Sequence, residues 1–354
     1  MLKNREELER VLAAIEPADQ TFMARARQRL DNLTKPKGSL GKLETLAARV
    51  CAMRRDLEAR VDRKVIFTFA ADHGVVAEGV SGFPQEVTAQ MVANFLAGGA
   101  GVNVLARHAG AAVRVVDVGV AAPVAGEGLI DRKVRPGTAN MARGPAMSEA
   151  EALAAIGVGM ETAGEAIAEG AQILGTGEMG IGNTTAAAAL FAALLSISPE
   201  EIAGRGTGID DAMLAHKKKV IAAALEVNRA QLAEPLAALA AVGGLEIAAI
   251  CGLVLEAARR QVPVAVDGFI SSAGALTAMQ LKPEAGDYCL FSHLSAEQGH
   301  RLFFEKLGLE PLLHLDMRLG EGTGAALAMG LVEAGLKVMH EMATFGEAGV
   351  SEGT

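Results

Sequence analysis

Short, continuously apolar segments that end in glycine or in a polar residue recur along the chain and constrain its fold. Most of them are followed by a helical pattern of apolar residues. Because apolar and polar residues do not alternate within them, these segments are typical of strands buried on both faces of a parallel sheet. The order of strand, polar loop and helix indicates βαβ units and predicts an α/β fold. The segments are RKVIFTFAADHG, AAVRVVDVGV, AQILGTGEMGIG, VPVAVDGFIS, YCLFSHLS and PLLHLDMRLGEG.

The first 60 residues differ from the rest of the chain because their pattern is helical. REELERVLAAI and LETLAARVCAMRRDLEARV place apolar residues three and four positions apart, with charges between them. A further helical segment is predicted from about Pro84 to Arg107. We therefore expect a small helical subdomain over residues 1–60, joined by the C-terminal helix. An α/β core over 61–345 would carry the active site, and 346–354 would form a tail.

Composition argues against several classes of partner. The net charge of −9 and the pI near 5.4 do not suit a nucleic-acid or anionic-membrane surface, since such surfaces are basic. Three scattered cysteines predict neither a disulfide framework nor a zinc site. The charged N-terminus lacks a signal-peptide core, and no apolar run is expected to reach membrane-spanning length. We expect a cytoplasmic protein without a nucleic-acid partner, a membrane partner or a metal.

Two glycine-rich stretches are candidate anion sites. GTGEMGIGNTTAAAALFAALL, residues 175–195, predicts a strand end, a loop and the start of a helix, where free backbone amides and the helix dipole attract anions. Asn183 or Thr184 could instead simply cap that helix. The second stretch, GRGTGIDD, precedes HKKK, and one of the three lysines 217–219 could reach a phosphate held by the loops.

The first stretch also fits the dinucleotide fingerprint at Gly175, Gly177 and Gly180. An NAD-dependent oxidoreductase is therefore an alternative, although Glu178 inside the loop would repel a pyrophosphate and no acidic residue ends a second strand about 20 positions later. A non-catalytic nucleotide-binding protein is the other alternative.

Carboxylates at predicted strand ends are the remaining candidates for chemistry, because the serine-hydrolase and zincin motifs are missing. Glu321 could be a favourable charge in the first turn of a helix, worth up to about 1 kcal/mol, or a catalytic group. Asp72 and His73 are more typical of a hydrogen-bonded structural pair than of a metal site. The other strand-end carboxylates are Glu178, Asp267 and Asp316.

Six segments in order along residues 36–330 resemble the nicotinate-nucleotide:dimethylbenzimidazole phosphoribosyltransferase family of cobalamin biosynthesis. The segments are KGSLGKLE, ADHGVVAEGVSGFPQEVTAQMVANFLAGGAGVNVLAR, GEMGIGNTTAAAAL, GRGTGIDDAMLAHKK, DGFISSAGAL and DMRLGEGTGAALAM. The resemblance implies a Rossmann-like, doubly wound and mostly parallel sheet with a small helical domain, assembled as a homodimer. It implies transfer of phosphoribose from nicotinate mononucleotide to 5,6-dimethylbenzimidazole, with no cofactor.

The resemblance also assigns site residues. Glu321 would be the general base that takes the proton of the attacking azole. Because a helix start lowers the pKa of a carboxylate, its apolar neighbours Leu319 and Phe83 would have to raise that pKa again by desolvation. The nucleotide and its phosphate would be held by Glu178, Gly180, Gly182, Asn183, Thr184, Gly206, Gly208 and Lys217, with Asp267 and Ser292 nearby. The base would contact Ser81, Phe83, Gln90, Met179 and Leu319. A benzimidazole, a substituted phenol or adenine could each fit such a pocket.

Overall fold

The computed structural model describes residues 2, 4–206 and 208–351 of the 354-residue chain. Its helices are α1 (Arg5–Ala13), α2 (Gln20–Asp31), α3 (Lys42–Arg54), α4 (Val87–Leu96), α5 (Gly101–Ala109), α6 (Glu149–Ala168), α7 (Asn183–Leu195), α8 (Pro199–Ile202), α9 (Asp211–Val227), α10 (Pro235–Val242), α11 (Leu245–Arg259), α12 (Phe269–Leu281), α13 (Gln298–Leu307), α14 (Thr323–Glu341) and α15 (Phe345–Ala348). Its strands are β1 (Lys64–Ala71), β2 (Ala111–Gly119), β3 (Leu129–Asp131), β4 (Ile173–Met179), β5 (Val264–Val266), β6 (Cys289–Phe291), β7 (His293–Leu294) and β8 (Leu313–His314).

Six strands form one sheet in the order β3-β2-β1-β4-β5-β6, and every neighbouring pair in it is parallel. This order is that of a doubly wound Rossmann-like fold, in which the chain reverses direction across the sheet between the first and fourth strands. The predicted α/β fold is therefore confirmed. The strand β1 is buried along its whole length, as its continuously apolar sequence indicates. Ligands bind in such sheets at the carboxyl edge near the reversal point.

The last apolar segment of the sequence does not add a strand to this sheet. Only Leu313–His314 is extended, as β8, and it pairs in parallel with β7 in a separate two-stranded sheet. The backbone then turns, since Asp316 has a φ of 53° and Gly320 a φ of 85°. These left-handed conformations are incompatible with a continued strand. The strand β3 was not predicted, because its three residues, two partly exposed and one exposed, are too few to show an apolar pattern.

The predicted helix from Pro84 to Arg107 is two helices, since α4 ends at Leu96 and α5 begins at Gly101.

The same region contradicts the expectation that no apolar run is long enough for a membrane. Residues 87–109 pass that test by length and composition, with 23 residues and a hydropathy of 1.2. Core helices of globular proteins pass the same test, so the segment is weak evidence for a membrane span.

The N-terminal helices pack together and contact the C-terminal part of the chain. The helix α3 packs on α2 and on α14, and an isolated antiparallel bridge joins Leu33 to Thr344. The subdomain boundaries at residues 60 and 345 stay a prediction, and the second of them falls inside α15. Of the predicted subdomain and tail, residues 1, 3 and 352–354 lie outside the described residues.

Candidate active site

Four buried carboxylates gather at the carboxyl edge of the sheet, near the reversal point between β1 and β4. Glu178 is the penultimate residue of β4, and Asp267 follows β5 directly. Glu321 belongs to the loop before α14, and Glu246 lies in the first turn of α11. Each exposes at most 6% of its surface. Because burial penalises a carboxylate, such a cluster at a strand edge indicates a functional site.

Glu321 is not in the first turn of its helix, contrary to the structural alternative drawn from the sequence. The helix α14 begins at Thr323 with Gly322 as its N-cap, so Glu321 precedes the helix. Its carboxylate instead accepts a hydrogen bond from the backbone N–H of Val102, in the first turn of α5, at 3.0 Å. Burial raises the pKa of Glu321, while the amides of Gly101 and Val102 act in the opposite direction.

The backbone around Glu321 is strained and is held from two sides. Glu321 has a φ of 65°, a conformation that costs a residue with a Cβ free energy, and Gly320 and Gly322 beside it also have positive φ. The Thr68 hydroxyl of β1 donates to the Glu321 carbonyl at 2.9 Å. A Cβ on Gly177 would collide with that same carbonyl. The strand β4 therefore carries glycine where the Glu321 loop crosses it.

Asp267 anchors the start of α14. Its carboxylate accepts hydrogen bonds from the backbone N–H groups of Gly322 at 3.1 Å, Gly324 at 2.6 Å and Ala325 at 3.2 Å. Burial raises the pKa of Asp267 to about 7 even though these amides lower it. The Ser292 hydroxyl donates to the Asp267 carbonyl at 2.7 Å. These contacts make Asp267 and Ser292 supports of the Glu321 loop.

Glu178 lies beside Glu321 and is held by the glycine loop. The side-chain amide of Asn183 donates to its carboxylate, and a Cβ on Gly320 would collide with its other oxygen. Burial first, and then the negative charges of neighbouring carboxylates, raise the pKa of Glu178 to about 8. At neutral pH this group is largely a neutral acid, which is able to donate a hydrogen bond.

The first glycine loop begins α7 without a side-chain cap. Gly182 is the N-cap residue with a φ of 93°, so neither Asn183 nor Thr184 caps the helix and the capping alternative is wrong. Gly175 and Gly177 lie within β4 and not in the loop. The dinucleotide fingerprint therefore lacks its structural context, in which the glycines follow the strand.

A cationic site lies where the two glycine stretches meet. The Lys217 ammonium is buried and donates to the Thr184 hydroxyl at 2.8 Å. A Cβ on Gly206 would lie 2.8 Å from that hydroxyl and 3.4 Å from the ammonium. The Gly208 amide donates to the Arg205 carbonyl at 3.0 Å. Arg318 reaches from the Glu321 loop and donates to the Gly206 carbonyl at 3.3 Å. Sequence reasoning missed Arg318.

Of the three consecutive lysines, only Lys217 is buried; Lys218 is partly exposed and Lys219 exposed. Burial lowers the pKa of Lys217 to about 8, with an opposing contribution from the Glu297 carboxylate. A desolvated cation beside left-handed glycines can bind an anion such as a phosphate. This burial identifies Lys217 as the lysine that faces the loops.

His73 pairs with Glu246 and not with its neighbour Asp72. Its Nε2 lies 2.6 Å from Glu246 Oε1, and both side chains are fully buried. Asp72 accepts a hydrogen bond from the Ala121 amide at 2.7 Å. Glu246 escaped the sequence analysis because it lies on a helix, VGGLEIAA, with no strand-end signal.

The residues assigned to the base are not part of this buried cluster. Phe83 and Leu319 are 50% and 59% exposed, so neither is a buried wall around Glu321. Ser81 and Phe83 are joined by a hydrogen bond from the Phe83 amide to the Ser81 hydroxyl at 3.2 Å. Gln90 is exposed on α4, whose Thr88 hydroxyl accepts from the Ile181 amide of the glycine loop at 3.1 Å. Met179 ends β4.

Fold and site together define an α/β enzyme with a candidate anion site and a buried carboxylate at the sheet edge. Among the residues that the structure describes, no group of three or more acidic, histidine or cysteine side chains is arranged to hold a metal ion. A family model described as phosphoribosyltransferase matches residues 15–350, and the chain belongs to that family. The resemblance inferred from the sequence is confirmed.

Named relatives cover nearly the whole chain. It is 58% identical over 347 residues to the nicotinate-nucleotide–dimethylbenzimidazole phosphoribosyltransferase of Geotalea uraniireducens, covering 98% of this chain and 99% of that protein. It is 57% identical over 348 residues to the protein of the same name from Pelodictyon phaeoclathratiforme, covering 98% of each. A crystal structure of the Thermus thermophilus protein of that name superposes with a TM-score of 0.89 at 51% identity, covering 95% of this chain and 100% of that one.

Proposed function

We propose that this protein transfers the phosphoribosyl group of nicotinate mononucleotide to 5,6-dimethylbenzimidazole, giving α-ribazole 5′-phosphate and nicotinate. The names of the relatives support this reaction. The observation that carries it is Glu321, a buried carboxylate on a strained loop whose pKa is raised by burial, beside a separate anion site.

The nucleotide would bind along the two glycine stretches. Its phosphate would accept from Lys217, Thr184 and the amides around Gly206 and Gly208, which is supported by the buried ammonium and its 2.8 Å bond to Thr184. Glu178 would contact the ribose as a neutral acid, which is supported by its pKa of about 8. Gly180, Gly182 and Asn183 would shape this part of the site.

The chemistry is a displacement at the anomeric carbon. One azole nitrogen forms a bond to C1′ while the bond from C1′ to the nicotinate nitrogen breaks, and that electron pair neutralises the pyridinium. The leaving group therefore needs no acid. Attack from the opposite face inverts the carbon from β to α. The proton on the other azole nitrogen goes to Glu321, whose raised pKa makes it a better base than an ordinary carboxylate.

The base would enter from the exposed side of Glu321. Ser81, Phe83, Gln90, Met179 and Leu319 are our candidates for its contacts. The half-exposed Phe83 and Leu319 support an open apolar entrance. We propose 5,6-dimethylbenzimidazole as the preferred acceptor, and a product assay with a panel of benzimidazoles, phenols and adenine tests that preference.

The test of the reaction is Glu321→Gln. Because a general base contributes about 10² to 10⁴ in rate, we expect kcat to fall by about that factor while the affinity for nicotinate mononucleotide, measured by calorimetry, stays the same. Asp316→Asn is the matched control, since Asp316 is exposed on the same loop and also has a positive φ. Full turnover in Glu321→Gln refutes the assignment of the base.

We also propose that the protein is a cytoplasmic homodimer. The exposed apolar side chain of Leu315, which is not among the proposed contacts of the base, supports a surface that a second subunit covers. Light scattering of the purified protein tests the dimer, and a monomeric mass contradicts it.

A further inference from the structure

The buried pair of His73 and Glu246 has no role in the reaction described above. His73 follows β1 at the carboxyl edge of the sheet, and Glu246 lies in the first turn of α11. Their side chains are 1% and 0% exposed, and Nε2 and Oε1 are 2.6 Å apart. Among the described residues, the other oxygen of Glu246 has no hydrogen-bond partner. The contact with His73 is therefore the main compensation for this buried carboxylate.

The pair lies directly beneath the first glycine loop. A Cβ on Gly180 would lie 3.3 Å from Glu246 Oε1 and 3.3 Å from the His73 ring. A Cβ on Gly182 would lie 3.5 Å from His73 Cβ. Both glycines belong to the turn that leads into Asn183, the residue that holds Glu178. The His73 ring and the Glu246 carboxylate therefore pack directly against this turn.

Charge also links the pair to Glu178. Glu178 is faced by Asp267 after β5, by Glu246 from α11 and by Glu321 from the loop before α14, and each negative charge contributes to raising its pKa. The opposing contact is the Asn183 amide. Burial by itself would lower the pKa of His73, but the Glu246 carboxylate and the nearby charge of Asp72 together outweigh it, so the pKa is raised. The neighbouring carboxylates therefore favour the protonated form of His73.

We propose that His73 and Glu246 are positioning residues for the nucleotide, which hold the turn at Gly180–Gly182 and thereby orient Asn183 and Glu178 toward the ribose. This inference rests on the proposed phosphoribosyl transfer. It assigns the pair to binding of the nucleotide, whereas Glu321 and its loop serve the attacking base.

The test compares two glutamates of one helix. Glu246→Gln removes the charge beneath the loop. Glu256→Gln is the matched control, because Glu256 is also buried on α11 and also paired, with Arg259 and Arg260, but lies at the other end of the helix. We expect the KM and the calorimetric Kd for nicotinate mononucleotide to rise roughly 10-fold to 100-fold in Glu246→Gln. We expect kcat to change far less, and Glu256→Gln to keep both constants.

A pH profile separates positioning from general stability. Removing the Glu246 charge takes away one cause of the raised pKa of Glu178, so the limb of kcat/KM that Glu178 sets should move to lower pH in Glu246→Gln and stay in place in Glu256→Gln. If Glu246→Gln does not fold, His73→Gln, which keeps a donor for the carboxylate, replaces it with the same expected rise in Kd.

Two failures are distinguishable. A wild-type protein that binds the mononucleotide but forms no product from any azole refutes the proposed function, and calorimetry on the variants still decides the role of the pair. An active wild-type enzyme whose Glu246→Gln variant behaves like Glu256→Gln in Kd and pH profile overturns the positioning role.

Discussion

Lys217→Met should weaken nucleotide binding and stabilise the protein at the same time. The Lys217 side chain is 1% exposed, and its ammonium has one described hydrogen-bond partner, the hydroxyl of Thr184. Methionine is unbranched and of similar length, so it fills the same space without a charge. The substitution therefore removes the proposed phosphate contact and, with it, the cost of keeping a cation in a dry site.

The two effects have magnitudes that the structure sets. A hydrogen bond to a charged group contributes about 1.5–3 kcal/mol, so the Kd for nicotinate mononucleotide should rise roughly 10-fold to 100-fold. The pKa of Lys217 is lowered from 10.5 to about 8, which corresponds to at most about 3 kcal/mol of stability. Because the unfolded chain stays protonated up to 10.5, this cost is complete below pH 8 and disappears as the pH approaches 10.5.

Calorimetric titration and urea denaturation measure both effects. We expect Lys217→Met to bind nicotinate mononucleotide weakly while its affinity for nicotinate riboside, which has no phosphate, is unchanged. Its free energy of unfolding should exceed that of the wild type at pH 7, with the difference shrinking by pH 10. Lys218→Met is the control, since Lys218 is partly exposed. Equal losses for nucleotide and nucleoside, or a destabilised variant at pH 7, refute the reasoning.

Two further substitutions test the carboxylate cluster. Glu178→Gln mimics the neutral acid. Because burial raises the pKa of Glu178 from 4.5 to about 8, the stability of the wild type should fall as the pH rises through that range. The urea midpoint of the variant should therefore fall less than that of the wild type between pH 5 and 8.5. Gly177→Ala places a methyl group against the Glu321 carbonyl, so we expect a loss of about 1–3 kcal/mol in a urea titration and a fall in kcat with a smaller change in nucleotide Kd. A Gly177→Ala enzyme with wild-type kcat contradicts this placement of the loop.

Periodicity predicts the elements of the sheet well because parallel strands are buried on both faces. β1, β2, β4, β5 and β6 all lie in the predicted apolar segments. It fails at short elements: β8 has two residues, since the loop that carries Glu321 turns away, and β3 has no apolar pattern. The break between α4 and α5 was missed because Gly98 and Gly99 interrupt a pattern that stays apolar on both sides.

The candidate site is partly predictable for a related reason. Strand-end residues such as Glu178 and Asp267 follow from the rule that ligands bind at the carboxyl edge. Glu246 and Arg318 do not follow from this rule. Glu246 lies on a helix, and the Arg318 side chain contacts the carbonyl of Gly206, which is distant in sequence. Local sequence contains no signal for a contact between residues that are far apart in the chain. Only the folded chain brings Glu246 under the turn that begins at Gly180.

The helix whose dipole acts on the pKa of Glu321 is α5 and not α14, which the sequence suggests. Glu321 precedes α14 and does not accept hydrogen bonds from its first amides. Asp267 accepts them instead, and the Glu321 carboxylate accepts a hydrogen bond from the Val102 amide at the start of α5. Amides at a helix start lower a carboxylate pKa and weaken it as a base, yet burial outweighs them and the pKa is raised. The Val102 amide thus fixes the orientation of a carboxylate whose raised pKa suits a base.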